Sequence, residues 1–156
     1  MERSNKQIGE ILVEKGLITQ AQLNDALIEQ KMTKDFLGSI LLKRNLISEE
    51  DFIKALSEQF NIPYVKIDKI DVNIAVAMKF SPTYILDNKC VPIQEDDYSV
   101  TVAISNPLNA QIFSEMEKEA NMRNIKLVLI CAKDMNWLVQ FYQQYKKLHM
   151  RKLFED

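Results

Sequence analysis

Two segments decide the fold when set one above the other: IGEILVEKGLITQAQLNDALIEQ (Ile8–Gln30) and LGSILLKRNLISEEDFIKALSEQ (Leu37–Gln59). Gly9 falls on Gly38, Leu12 on Leu41, Leu17 on Leu46, Ile18 on Ile47, Thr19 on Ser48, Ala26 on Ala55, Leu27 on Leu56 and Gln30 on Gln59. The offset is a constant 29 residues. A repeat of that length is one supersecondary unit written twice. Within each copy the apolar residues follow helical spacing in two blocks. Ile8, Ile11, Leu12 and Leu17 form the first, and Leu23, Ala26 and Leu27 form the inward stripe of the second. Gly16 sits where a helix needs a left-handed residue just past its end, and Thr19 with Gln22 makes a capping box. In the second copy Asn45 takes the place of Gly16, and Ser48 with Asp51 takes the place of the capping pair. The sequence therefore predicts two helix pairs packed as a four-helix unit.

The chain has three glycines, and Gly9 and Gly38 fall inside predicted helices, where glycine costs roughly 1 kcal/mol relative to alanine. Two explanations stand side by side. A missing Cβ lets another helix approach closely, or a planar ligand lies against the bare backbone.

The doubled pattern of LGxxL, a Leu-Ile pair, a Ser/Thr cap, an Ala-Leu dipeptide and a closing Gln resembles the N-terminal domain of type II secretion and type IV pilus assembly ATPases, of the subtype called MshEN. NIPYVKID (Asn61–Asp68) and VPIQEDDYSVTVAISNPLN (Val91–Asn109) are similar to later parts of that domain, so the resemblance covers about Lys6 to Tyr145. The doubled motif is its more specific part.

Working outward, a chain of 156 residues with 47% hydrophobic content can bury a core for one domain or two small subdomains. With 20 basic and 22 acidic residues the net charge is −2, which carries no nucleic-acid footprint. The opening MERSNKQ is too polar for a signal peptide, and the apolar run Leu127–Ala132 is far too short to span a bilayer. A soluble cytoplasmic protein is expected. Cys90 and Cys131, each among apolar residues, are expected to be reduced, buried and inert, with no further ligands nearby for a metal.

After Asn61 the period changes. Ile62-Pro63 breaks the helix, and Tyr64, Val65 and Ile67 read as a short strand. A short helix is expected over Val72–Met78, and another from Ser81-Pro82 through Leu86. Cys90–Gln94 and Ser99–Ser105 form a hairpin about an acidic turn at Glu95, Asp96 and Asp97, with Val100, Val102 and Ile104 on one face. Asn106-Pro107 turns into a helix over Ala110–Ala120 with Ile112, Phe113 and Met116 inward. Ile125–Cys131 reads as a buried strand. A last helix runs from Lys133 or Asp134 to at least Tyr145, with Met135, Leu138, Val139, Tyr142 and Tyr145 inward. The fold class is α+β: a helical repeat module over residues 1–61, a small α/β sheet subdomain over 62–147, and a helix end or linker over 148–156, where LHMRKLFED is amphipathic and basic before its final acidic pair, with contact to anionic lipid or a partner as the alternative.

Catalysis finds no support in the residues. The phosphate-loop pattern GxxxxGK[ST] does not occur, His149 lies near the tail without a partner, and no nucleophile and base assemble. What remains is recognition. The resemblance implies a regulatory and docking domain that couples an ATPase motor, in cis or in trans, to the cytoplasmic part of an inner-membrane secretion or pilus assembly protein. The chain would then be cytoplasmic and peripheral to the inner membrane through partners. The alternative it implies is a cyclic di-GMP sensor, with that nucleotide as a regulatory ligand and no other cofactor. The matching positions are Gln7, Ile8, Gly9, Leu12, Leu23, Leu27 and Gln30 in the first copy. In the second they are Leu37, Gly38, Leu41, Phe52, Leu56 and Gln59. At Gln7 the family carries an arginine, whose planar cation can stack on guanine or bind phosphate. Phe36 holds the same place in the second copy.

Overall fold

In the computed structural model, residues 7–107, 116–118, 120 and 123–155 are described. The chain divides into two compact units, Met1–Ile62 and Pro63–Asp156.

The first unit is helical: α1 (Ile8–Glu14), α2 (Gln20–Thr33), α3 (Leu37–Lys43) and α4 (Glu49–Phe60). Local chemistry ends and starts each helix at equivalent places. Past α1 the Leu17 N–H donates to the Leu12 carbonyl and the Gly16 N–H to the Val13 carbonyl, both at 3.0 Å, with Gly16 at φ +71°. Past α3 the same pair of bonds forms at 3.1 Å from Leu46 to Leu41 and from Asn45 to Leu42, with Asn45 at φ +55°. These are two Schellman motifs, one built on glycine and one on asparagine, the residue that tolerates the left-handed region next best. Thr19 and Gln22 close a reciprocal capping box at the start of α2, and the Ser48 hydroxyl accepts from the Asp51 N–H at the start of α4.

The core of this unit is made of equivalent pairs. Ile11 and Ile40, Leu12 and Leu41, Ile18 and Ile47, and Ala26 and Ala55 are all buried in one cluster, with α1 packed on α2 and α4, and α2 on α3. The copies differ at their edges. Leu27, expected inward, is 37% exposed, whereas its counterpart Leu56 is 4% exposed. The reason is that α2 buries only Leu23 and Ala26, while α4 buries Ile53, Ala55, Leu56 and Phe60 and so presents apolar residues on a wider arc.

The second unit carries a three-stranded sheet: β1 (Cys90–Glu95), β2 (Ser99–Ile104) and β3 (Asn124–Leu129), in that order. The β1–β2 hairpin is antiparallel, from Cys90 opposite Ile104 to Glu95 opposite Val100, and β3 runs parallel to β2. Asp96 accepts the Tyr98 and Ser99 N–H groups at 2.8 and 2.7 Å, an Asx turn that closes the hairpin, and these bonds hold its carboxyl below the usual range. Glu95 pairs with Lys79 and Arg123, and the hydrogen bonds from them lower its pKa as well.

Helix α5 (Pro82–Asn88) is capped by Ser81 with proline at its first position, and α6 (Ala132–Glu155) runs 24 residues. Met135, Leu138 and Tyr142 of α6 are buried, while Val139 and Tyr145 are half-buried.

Several expectations need correction. The strand expected at Tyr64–Ile67 is a single parallel bridge from Tyr64 to Leu129. Beyond it the Asp134 carboxylate accepts the Ile67 N–H at 3.1 Å, and Ile67–Lys69 curls into a 3₁₀ turn instead of continuing along the sheet. The helix expected at Val72–Met78 is a 3₁₀ segment, Ile74–Lys79, with bonds from Val76 to Asn73 and Phe80 to Ala77. Strand β3 ends at Leu129 and is not wholly buried: Asn124 and Lys126, which share one face of the strand, are exposed. Cys90 is buried, but Cys131 is half-buried and its sulfur accepts the Asp134 N–H at 3.4 Å at the start of α6. His149 is exposed, yet its ring stacks on that of Tyr145. The helix expected at Ala110–Ala120 falls largely outside the described residues; Met116–Glu117–Lys118 is helical and Met116 is buried.

Candidate functional site

The two glycine-bearing helices set the geometry of the doubled motif. A Cβ on Gly9 would stand 2.7 Å from Leu23 Cδ1, and one on Gly38 would stand 2.7 Å from Phe52 Cε1, with Phe52 Cζ also in contact. Both distances are shorter than real Cβ contacts allow. Leu23 and Phe52 are themselves equivalent positions, so in each copy the second helix lays a side chain across the bare backbone of the first. The packing explanation of the glycines therefore has a definite occupant in each copy.

The thirteen residues singled out from the sequence separate into two sets. Gly9, Leu12, Leu23, Gly38, Leu41 and Leu56 are buried, with Leu12 and Leu41 wholly so. Gln7 and Leu27 are exposed, and Ile8, Gln30, Leu37, Phe52 and Gln59 are half-buried. The accessible set supplies amides, aliphatic faces and one aromatic ring, a chemistry of stacking and hydrogen bonding rather than bond making.

Within that set one atom stands out. The Gln59 side-chain oxygen is shielded from solvent and has no hydrogen-bond partner. A buried acceptor left unpaired costs about 1–3 kcal/mol, so its presence asks for a reason. Glu29 Oε2, one residue before the other closing glutamine, is likewise shielded without a hydrogen-bond partner, but there the Arg44 guanidinium lies beside it as an ion pair. Sequence spacing finds Gln59 as a repeat position, but whether its oxygen is paired depends on contacts that spacing does not encode.

Reading the sequence for repeats also missed a second feature of this unit, the exposed apolar set on and after α2. Ile28 is 59%, Met32 81% and Phe36 64% exposed, beside Leu27. The signal was present, since Ile28 and Met32 are one helical turn apart with no counterpart in the second copy, where Ser57 and Asn61 stand.

Comparison with known proteins places the chain. Residues 60–148 match the MshEN domain family, so the match falls on the second unit and not on the doubled motif, the part that looked more specific in the sequence. The type IV pilus assembly ATPase PilB of Thermus thermophilus is 31% identical over 111 residues, 70% of this chain, but the chain spans only 12% of that relative's length. Among solved structures, MshE with cdg (cyclic di-GMP) superposes with a TM-score of 0.81 at 23% identity over 90% of this chain and 99% of that one. The N-terminal domain of XpsE superposes with a TM-score of 0.65 at 16% identity over 90% of this chain and 96% of that one. The chain thus belongs to the MshEN domain family and has the α+β fold of the N-terminal domains of type II secretion and type IV pilus assembly ATPases.

Proposed function

We propose that this chain is a non-catalytic regulatory and docking domain of a type II secretion or type IV pilus assembly ATPase, coupling the motor to the cytoplasmic part of an inner-membrane assembly protein. The observation that carries this reading is the exposed apolar set Leu27, Ile28, Met32 and Phe36 on a unit whose core is otherwise closed by equivalent pairs. Scattered exposed apolar residues are ordinary, but here they fall within ten residues, from α2 to the start of α3, and such grouping marks interaction surfaces. Phosphoryl chemistry belongs to a motor domain in cis or in trans, since the 156 residues contain no GxxxxGK[ST]. A domain of this kind works in the cytoplasm and reaches the inner membrane through its partners.

The test is an Ile28→Ser, Met32→Ser double variant, titrated by calorimetry against the soluble cytoplasmic domain of the cognate inner-membrane protein. Affinity is expected to fall at least tenfold with the helical circular dichroism unchanged, because both side chains are exposed in the free domain. Unchanged affinity would move docking to another surface.

A second reading, cyclic di-GMP binding on the doubled motif, is favoured by the amides, aliphatic faces and Phe52 ring that the two copies leave accessible. The fold likeness to MshE with cdg supports it. The ligand would meet the accessible members Gln7, Ile8, Leu27, Gln30, Leu37, Phe52 and Gln59, with the buried leucines beneath. Gln7 lacks the charge-assisted contact of an arginine, worth roughly 1.5–3 kcal/mol, or about tenfold to a hundredfold in affinity. Calorimetry with cyclic di-GMP on wild type and on Gln7→Arg decides this reading. Uptake by both, tighter in Gln7→Arg, supports it, and no heat from either ends it.

A further inference from the structure

Helix α6 has a second apolar side that its packing does not use. Met135, Leu138 and Tyr142 point into the unit. Trp137, Phe141 and Leu148, at spacings of four and seven, lie together on another side. Trp137 is 51% and Leu148 58% exposed, and the Trp137 and Phe141 rings stack at 5.2 Å with planes 25° apart. Cations border this stripe at both ends. Lys133 precedes Trp137 by one turn, Arg151 and Lys152 follow Leu148 by three and four residues, Lys147 adjoins it, and all four are exposed. Between Lys133 and Lys152 the helix holds only one acidic residue, Asp134, and its carboxylate is engaged with the Ile67 N–H.

Charge is divided sharply between this helix and the rest. Residues 132–155 hold five basic and two acidic side chains, which leaves 15 basic and 20 acidic elsewhere in the chain. From these observations we infer that the outer side of α6 is a membrane-surface contact, seating on an anionic phospholipid bilayer. Trp137, Phe141 and Leu148 enter the headgroup boundary, and Lys133, Lys147, Arg151 and Lys152 reach the phosphates.

The shape of the feature selects a bilayer over a protein pocket. Trp137 to Lys152 spans about 22 Å at 1.5 Å per residue, and cations of one sign along that length suit a continuous negative plane. Tryptophan and phenylalanine between lysines and arginines are the side chains that settle at the boundary of water and hydrocarbon. No helix among the described residues is long and apolar enough to cross the bilayer, so the contact is a surface one. This inference does not depend on the docking surface of α2 or on nucleotide binding.

Trp137 is the only tryptophan in the chain, so its fluorescence reads the contact directly. The full chain is titrated with vesicles of phosphatidylcholine and phosphatidylglycerol in equal parts, and with phosphatidylcholine alone, at low salt. The expected result is a blue shift of Trp137 emission and co-sedimentation with the anionic vesicles only, reversed by 0.5 M salt within the short screening length there. A Lys147→Gln, Arg151→Gln, Lys152→Gln variant should partition on the order of a hundredfold more weakly, each cation contributing about fivefold. Leu148→Ser should bind more weakly at the same charge, which separates insertion from simple ion attraction. These exposed positions leave the fold in place, as circular dichroism will show. An unshifted emission with anionic vesicles overturns the inference, as does equal binding by the triple variant. Binding to an acidic protein chain but not to vesicles overturns it too, assigning α6 to a protein partner.

Discussion

The two copies of the repeat reach the same backbone with different residues, and their differences separate what a position requires from what it tolerates. The left-handed position past the first helix takes Gly16 in one copy and Asn45 in the other, and both make the same two bonds. The cap takes Thr19 or Ser48. The side chain laid over the glycine is Leu23 or Phe52, yet neither copy lets its glycine go. Conformation and close approach are therefore the invariants here, while side-chain size is adjustable where solvent is near. Leu23 is 5% exposed and confined, whereas Phe52 is half-buried and has water beside it.

Changes at the glycines probe this most severely. Gly9→Leu should destabilise the first unit by about 3 kcal/mol, because the new side chain must displace Leu23 within the buried core. Gly38→Leu should cost less, roughly 1–2 kcal/mol, as the Phe52 ring swings toward solvent. Urea unfolding of the two variants gives both numbers, and equal losses would break the distinction between the copies. Retained helical circular dichroism with Gly38→Leu would also let its ligand binding be read separately from its folding.

Truncating the covering side chains comes next. Leu23→Ala leaves a cavity in the shared core and should cost roughly 2–3 kcal/mol, with Phe52→Ala nearer 1–2 kcal/mol because part of its ring is already in water. A thermal melt in which Phe52→Ala proves the worse of the two would mean that copy two, not copy one, carries the tighter packing.

The caps sharpen the comparison at a smaller scale. Thr19→Ala removes one arm of a reciprocal box and should cost about 1 kcal/mol, and Ser48→Ala slightly less. The smallest effect is a gain: Asn45→Gly makes copy two like copy one and should stabilise it by about 0.5 kcal/mol, since glycine enters the left-handed region without a Cβ penalty. A loss at Asn45 would show that its side chain has a role beyond permitting the turn.

Much of the first unit was legible because its determinants are local. Each glycine, cap and stripe acts within one or two turns, and repetition shows the pattern twice. Leu27 was misjudged for the opposite reason. It occupies the same repeat position as Leu56, but burial depends on what lies across from it, and α4 buries a wider arc than α2. The site residues divide the same way: the apolar stripes that bury Leu12, Leu41 and Leu56 could be read, but the exposure of Leu27 and the unpaired oxygen of Gln59 could not. In the second unit the hairpin was clear from alternation and the Asp96 turn. The stretch Tyr64–Lys69 was not, because a carboxylate 67 residues away takes the Ile67 N–H and turns the chain off the sheet edge.

By itself the sequence determined the doubled helix pairs, the places where those four helices begin and end, and the hairpin, all of which rest on interactions between near neighbours. Tertiary structure alone decided which glycine meets which side chain, which copy leaves apolar residues in water, and how α6 comes to have one buried and one open apolar side. Those outcomes depend on surfaces brought together from distant parts of the chain, and periodicity states only that a face is apolar, never what covers it.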